Sequence, residues 1–219
     1  MDIIKCEKLG FTYDNKKWVL RDINATFQTG MLYGIYGKSG AGKTTLLSLL
    51  AGLETAGEGK ILYKDKDLAI MDRDEYRSNE VGIIFQSYNL LPHLTALENI
   101  VLSMDISNLK VKDKDKKAMS LLRKVGLDEA KANRRVLQLS GGEQQRVAIA
   151  RALSYDCDMI LADEPTGNLD AENEEEIIEL LTKLAHEDDK CIIVISHSPS
   201  VRKKMEKIYY LENGKLKTE

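Results

Sequence analysis

Long apolar runs are missing from this 219-residue chain. None approaches the ~20 consecutive residues needed to cross a bilayer, so no membrane-spanning helix is expected. The first residues, Met1-Asp2-Ile3-Ile4-Lys5, lack the basic-then-apolar pattern of a secretory signal. Cysteine is scarce: Cys6, Cys157 and Cys191 are odd in number and widely scattered, which excludes a disulfide frame or a cysteine metal site and fits reduced thiols in the cytosol. The three prolines and the absence of a Gly/Ser-rich linker leave nothing that divides the chain. A net charge of -3 gives no sign of nucleic acid or of an anionic membrane surface as partner. No repeat of solenoid length is visible.

Short apolar runs alternate with helical patterns, which predicts an α/β fold. Strands are expected at 31–36, 81–85, 159–162 and 191–196. The last two are nearly continuous apolar runs, as in strands covered on both faces of a parallel sheet. Residues 3–27 alternate polar and apolar positions and predict antiparallel strands flanking that sheet. Helices are expected after Lys43, with Gly52 as the stop, and after Asn173. From about 87 to 155 the pattern becomes helices joined by polar loops, with a capping box at Thr95-Ala96-Leu97-Glu98. The reading is a single domain: a core of about 1–86 and 156–219, with a helical lobe of about 87–155 inserted in it. The charge-dense run at 110–117 reads as a solvated loop or helix start.

Gly37-Lys38-Ser39-Gly40-Ala41-Gly42-Lys43-Thr44 follows a strand and opens a helix. That is the context of a phosphate-binding loop. The glycines let backbone N–H groups converge on phosphate oxygens, and the helix N-terminus adds partial positive charge. Lys43 is the expected partner of the β- and γ-phosphates, and the Thr44 hydroxyl a Mg²⁺ ligand. The loop alone specifies a nucleoside triphosphate. At 159–164 an apolar strand ends in two carboxylates, where ligands sit in open parallel sheets. Asp163 is placed to hold Mg²⁺ and Glu164 to polarise an attacking water. Ser140-Gly141-Gly142-Glu143 opens a further helix; Ser140 and Glu143 form a capping box. The two glycines cost that first turn about 1 kcal/mol each relative to Ala, which suggests a backbone approach to an anion. A second anion site on a different lobe suggests a nucleotide clamped between two subunits.

Taken in order, the phosphate loop, Gln86, Leu139-Ser140-Gly141-Gly142-Glu143, Ile160-Leu161-Ala162-Asp163-Glu164-Pro165, Asn168-Leu169-Asp170 and His197 resemble the motif series of the nucleotide-binding subunits of ATP-binding cassette transporters, over essentially the whole chain. The resemblance implies a phosphate-loop core with an antiparallel β subdomain and an inserted helical lobe, and an ATPase that uses ATP and Mg²⁺. It gives Tyr13, or less well Trp18, the adenine stack. Gly37 to Thr44 and Thr45 would bind nucleotide. Gln86 would contact Mg²⁺ and the lytic water. Ser140, Gly141, Gly142 and Glu143 would close over the γ-phosphate of a second copy's ATP, and Asp170 would cross the dimer interface. His197 would touch the γ-phosphate, with Glu164, Gln86 and Lys43 as the other catalytic groups. Glu143 stands where the family more often has glutamine; both complete the capping box.

The segment Phe85-Gln86-Ser87-Tyr88-Asn89-Leu90-Leu91-Pro92-His93-Leu94-Thr95-Ala96-Leu97-Glu98-Asn99 is similar to one in the macrolide-export and lipoprotein-release ATPases. That similarity implies export, or extraction from the membrane, of a drug, antimicrobial peptide or lipoprotein. The partners implied are a second copy of the chain and an integral membrane permease. The location implied is cytoplasmic, peripheral at the inner face of the membrane. Tyr88, Leu90 and Leu91 would either line a groove for the permease or fill the core of the lobe. An alternative is a regulatory ATPase of a cell-division-type complex that moves no substrate. A GTPase is disfavoured, since no Asn-Lys-x-Asp motif is present.

Overall fold

A computed structural model describes residues 1–14, 16–107 and 110–218. Two sheets form the frame. β1 (Asp2–Thr12) and β2 (Trp18–Gln28) pair antiparallel, and β4 (Glu58–Tyr63) and β5 (Lys66–Asp67) extend them in the order β2-β1-β4-β5. The antiparallel strands expected at 3–27 are thus present. β2 largely alternates buried and exposed positions, whereas β1, interrupted by register shifts, buries Ile3 and Ile4 side by side as well as Leu9 and Phe11.

The second sheet has the order β10-β9-β3-β8-β7-β6. It comprises β3 (Met31–Tyr36), β6 (Val81–Ile84), β7 (Met159–Asp163), β8 (Cys191–Ile195), β9 (Lys207–Glu212) and β10 (Lys215–Thr218). β3, β6, β7, β8 and β9 run parallel, and β10 closes one edge as an antiparallel hairpin with β9. All five residues of β8 and the first four of β7 are buried, as their unbroken apolar runs require. The C-terminal hairpin is a finding of the structure. Its sequence, with lysines at 207, 215 and 217, carries too weak an alternation to be read as strand.

The parallel sheet is covered on both sides. One face packs on β1, β2 and α1 (Lys43–Leu50) through Phe27, Tyr33, Leu46 and Leu49. The other receives α6 (Gly141–Ala152) and α7 (Ala171–Glu187), with Val147, Ile149, Ile177 and Leu181 at the contact. α2 (Arg73–Asn79) precedes β6, and α8 (Pro199–Lys204) precedes β9. Between β6 and β7 lie α3 (Ala96–Ile106), α4 (Lys114–Lys124), α5 (Glu129–Ala132) and α6. Thr95 and Glu98 form the expected capping box on α3. The 110–117 run becomes the start of α4, capped by Asp113 and tied by Lys114 to Asp105 at 2.5 Å.

One local difference from the sequence reading has a clear cause, and the expected stop at Gly52 is present. α7 starts at Ala171, three residues before the expected Glu174, because the Asp170 side chain caps it by accepting from Asn173 N at 2.9 Å. Gly52, at φ +67, lies just beyond the α1 C-cap Ala51, where a left-handed residue ends a helix cheaply. All three cysteines are buried, and burial pushes the Cys6 and Cys157 thiols up to about 12.

Candidate functional site

The carboxyl ends of β3, β7 and β8 meet at one cavity of about 930 Å³. Its walls bring together Tyr13, Ser39, Gly40, Gly42, Lys43, Thr44, Thr45, Gln86, Asp163, Glu164 and His197, residues spread over most of the chain. Gly37, Lys38 and Ala41 line a second cavity, which shares Ser39, Gly40 and His197 with the first and also contains Trp18. Tyr13 and Trp18, the two aromatics named from the sequence, thus line different cavities. Tyr13 faces the carboxylates' cavity, edge-on to Phe11, with its hydroxyl 3.2 Å from Thr45 Oγ1.

The loop geometry follows from its glycines. A Cβ on Gly37 would lie 2.3 Å from the Leu211 carbonyl oxygen. Gly42 adopts φ +101 and immediately precedes α1. No side chain caps that helix, whereas α3 and α6 both carry capping boxes. The first-turn N–H groups of α1 are thus left for an anion. Lys43 is buried, and its Nζ donates to Gly37 O at 3.0 Å and Lys38 O at 3.2 Å. Burial lowers its pKa, against the pull of Glu164 and Asp163.

Across the cavity, Thr44 Oγ1 donates to Asp163 Oδ2 at 3.3 Å. This pairs a hydroxyl with a carboxylate, two hard oxygens of the kind Mg²⁺ takes alongside phosphate oxygens and water. Burial raises the pKa of Asp163, and the Thr44 hydrogen bond and Lys43 oppose it. Glu164 follows at φ +47, a left-handed backbone that costs a non-glycine residue energy and recurs at functional sites. Its N–H donates to Ile195 O at 3.0 Å, extending the β7–β8 register by one step. Its Oε2 accepts from His197 N at 3.3 Å, and its Oε1 lies 3.5 Å from His197 Nε2. Oε1 is buried with no hydrogen-bond partner among the described residues. Burial raises the pKa of Glu164, and His197 opposes it. Gln86 sits at the cavity edge, its carbonyl accepting from Asn168 Nδ2 at 3.0 Å.

Ser140, Gly141, Gly142, Glu143 and Asp170 line neither cavity. Ser140 and Glu143 cap α6 reciprocally, Glu143 also meets Lys131 at 2.9 Å, and the Ser140 N–H holds the Glu143 carboxyl below the usual range. The glycines have an intrachain reason too. A Cβ on Gly142 would lie 2.3 Å from Asn173 Oδ1, and one on Gly141 would lie 3.0 Å from the Tyr88 hydroxyl. Asn173 in turn donates to Asp170, whose carboxyl that helix-start contact holds low. Sequence reasoning missed Thr166, Gly167, Glu174 and Ser198 in the cavity wall. Glu174 sits in a run of glutamates that looks like exposed helix, so no signal in the sequence singles it out.

Residues 20–167 match the family described as ABC transporter. The chain is 47% identical over 204 residues to YclH of Bacillus subtilis (strain 168), an ABC transporter ATP-binding protein, covering 93% of this chain and 90% of the relative. It is 37% identical over 223 residues to LolD of Idiomarina loihiensis, the ATP-binding protein of a lipoprotein-releasing system, covering 99% and 97%. Among solved structures, a dimeric post-hydrolysis state of MJ0796 from Methanocaldococcus jannaschii, bound to ADP and Pi, superposes with a TM-score of 0.89 at 35% identity, covering 99% of this chain and 98% of that one. A phosphate loop ahead of an uncapped helix, two carboxylates at the end of a buried strand, and this likeness along the whole chain lead to one conclusion: the chain belongs to the ABC transporter family, as an ATP-binding and ATP-hydrolysing subunit.

Proposed function

We propose that the chain works as a head-to-tail pair of identical subunits that drives an integral membrane permease, in export of a substrate or its extraction from the membrane. The observation that carries this reading is the separation of Ser140–Glu143 from the cavity of Lys43, Asp163 and Glu164. Two anion-suited surfaces on one chain that do not face one cavity are completed by a second copy. The dimeric form of MJ0796 supports it.

In this reading Tyr13 stacks on adenine, Lys43 and the amides of 37–44 hold the phosphates, and Ser140 to Gly142 of the partner copy close over the γ-phosphate. Asp170 meets the partner across the interface. Thr44 and Asp163, with Gln86 beside them, would hold Mg²⁺, which when bound neutralises charge developing on the phosphates. Glu164 Oε1, buried without a donor, is the natural acceptor for the water that attacks the γ-phosphate, since an unpaired buried carboxylate oxygen is costly. His197 supports Glu164 and faces the γ-phosphate.

ATPase activity per chain should rise steeply with protein concentration and saturate. Full activity at concentrations where sedimentation finds only monomer would count against the paired site.

For the permease, Leu91 is 39% exposed, while Leu90 packs against the lobe core and Tyr88 is half-buried. The two alternatives left by the sequence thus divide between adjacent residues. Among the described residues no helix is long and apolar enough to cross a membrane, so the transport path is assigned to another polypeptide and the chain to the cytoplasmic face. The relation to LolD favours substrates of lipoprotein or amphipathic-peptide type. Leu91→Asp should reduce co-purification with the permease about tenfold, the size of one buried apolar contact, and leave the basal ATPase of the isolated chain unchanged. Undiminished co-purification would move the docking site elsewhere.

A further inference from the structure

Glu174 lies on the first turn of α7, four residues after the capping Asp170. Its carboxylate accepts side-chain hydroxyls from the loop that leaves β7 and from the start of α8. Thr166 Oγ1 donates to Oε2 at 3.1 Å, Ser198 Oγ donates to Oε1 at 3.1 Å, and Ser200 Oγ donates to the same Oε1. The Ser198 and Ser200 hydroxyls are also 2.7 Å apart. Thr166 is two residues beyond Glu164, on the loop that leaves β7. Ser198 directly follows His197, on the loop that leaves β8. One half-buried carboxylate therefore fastens together the loop carrying the base and the loop carrying the histidine, and it lines the same cavity as both.

The neighbouring glutamates behave differently. Glu175 pairs with exposed Lys204 and Glu176 with Arg146, and neither lines the cavity. An acid in a first turn is favoured by the helix dipole wherever it points, and that explanation requires no hydroxyls from distant loops. Hydrogen bonds from hydroxyls to an ionised carboxylate are roughly twice as strong as neutral ones. The set at Glu174 is thus able to fix the 198–200 turn. That turn matters to chemistry because the His197 N–H is a donor to Glu164 Oε2. A shift of the turn removes that donor and moves the imidazole with it.

We propose that Glu174 is a positioning residue for ATP hydrolysis, holding the His197 loop and the Thr166 loop in the register that aims Glu164 and His197 at the γ-phosphate. The proposal rests on the roles given above to Glu164 and His197.

The experiment is steady-state ATP hydrolysis and nucleotide titration of the full chain with Glu174→Ala, Glu174→Gln and Ser200→Ala. Displacement of a reacting group by about 1 Å costs on the order of 10²-fold. Glu174→Ala should therefore lower kcat roughly 10- to 100-fold while the ATP dissociation constant stays within about threefold, because the phosphate loop is untouched. Glu174→Gln keeps an oxygen that accepts hydroxyls and should recover most of the rate.

A kcat for Glu174→Ala within twofold of the parent overturns the proposal. So does a loss shared equally by the Gln variant with a matching drop in melting temperature. Should Glu174→Ala not fold, Ser200→Ala decides: a reduced kcat supports the clamp, and an unchanged one removes it. Normal turnover by Glu164→Gln would overturn the role of Glu164 instead, which separates the two ideas.

Discussion

Glu164→Gln is expected to bind ATP with nearly unchanged affinity and to hydrolyse it about 10²- to 10⁴-fold more slowly, the range contributed by a positioned general base. The amide is isosteric, so the left-handed turn at 164 and the His197 N–H contact can both persist. What is lost is the ability of Oε1 to take a proton from water. In the proposed sandwich, binding closes the pair and hydrolysis reopens it, so this variant should accumulate as an ATP-bound dimer in size-exclusion chromatography. Normal turnover by Glu164→Gln would remove it as base and leave the chemistry to another group. The parent's pH profile offers a second check. Burial raises the Glu164 pKa, and the base must be ionised to act. Activity should therefore fall with acidification at a pH above the usual glutamate value, as protonation sets in earlier.

Lys43→Ala should produce a loss of a different kind. The Lys43 ammonium is buried behind the loop, held by two carbonyls and attracted by Glu164 and Asp163. Its desolvation is unfavourable in the free protein, and polyphosphate oxygens offset that cost when bound. Removing one such charged donor from an electrostatic site typically costs about 10²- to 10³-fold. We expect ATP affinity and turnover to fall together, because the charge acts in the bound state as well as in the transition state. Thermal unfolding reads this out directly. ATP at about 100 times its dissociation constant stabilises a protein by roughly 2.7 kcal/mol, so the ATP-dependent rise in Tm should vanish in Lys43→Ala. A rise equal to the parent's would exclude Lys43 from the phosphate site. Lys43→Arg should not restore binding, since a planar guanidinium cannot occupy the space of a compact ammonium between Gly37 O and Lys38 O.

The two variants separate what the site owes to sequence from what it owes to assembly. Lys43, Thr44, Asp163 and Glu164 were legible before any fold was known. Each stands at a junction of strand and loop or helix, where an apolar run stops and polar groups begin. The buried strands were legible for the same reason, since a strand covered on both faces has no polar positions to spare. Glu174 was invisible, because in a helix rich in glutamates only the arrival of Thr166, Ser198 and Ser200 distinguishes it from Glu175 and Glu176. In sequence Tyr13 was preferred to Trp18 only by resemblance; the fold put Tyr13 in the wall of the cavity that holds Asp163 and Glu164, and Trp18 in a neighbouring one. Gly142 was read as a concession to an anion, and the packing of Asn173 against it adds an intrachain cause. The β9–β10 hairpin escaped notice because its lysine-rich strands edge a sheet that supplies their pairing.

By itself, then, the sequence determined the α/β class, the phosphate loop and the two carboxylates, and so a nucleoside triphosphate site. These depend on local order: glycines where the backbone must bend, a lysine beside them, acids at the end of an apolar strand. Only the tertiary structure decided which distant side chains share the cavity, which aromatic faces it, and which glutamate bonds to Thr166, Ser198 and Ser200 at once. Those contacts join residues far apart in the chain, and it is the burial of a sheet on both faces that brings them within hydrogen-bonding reach.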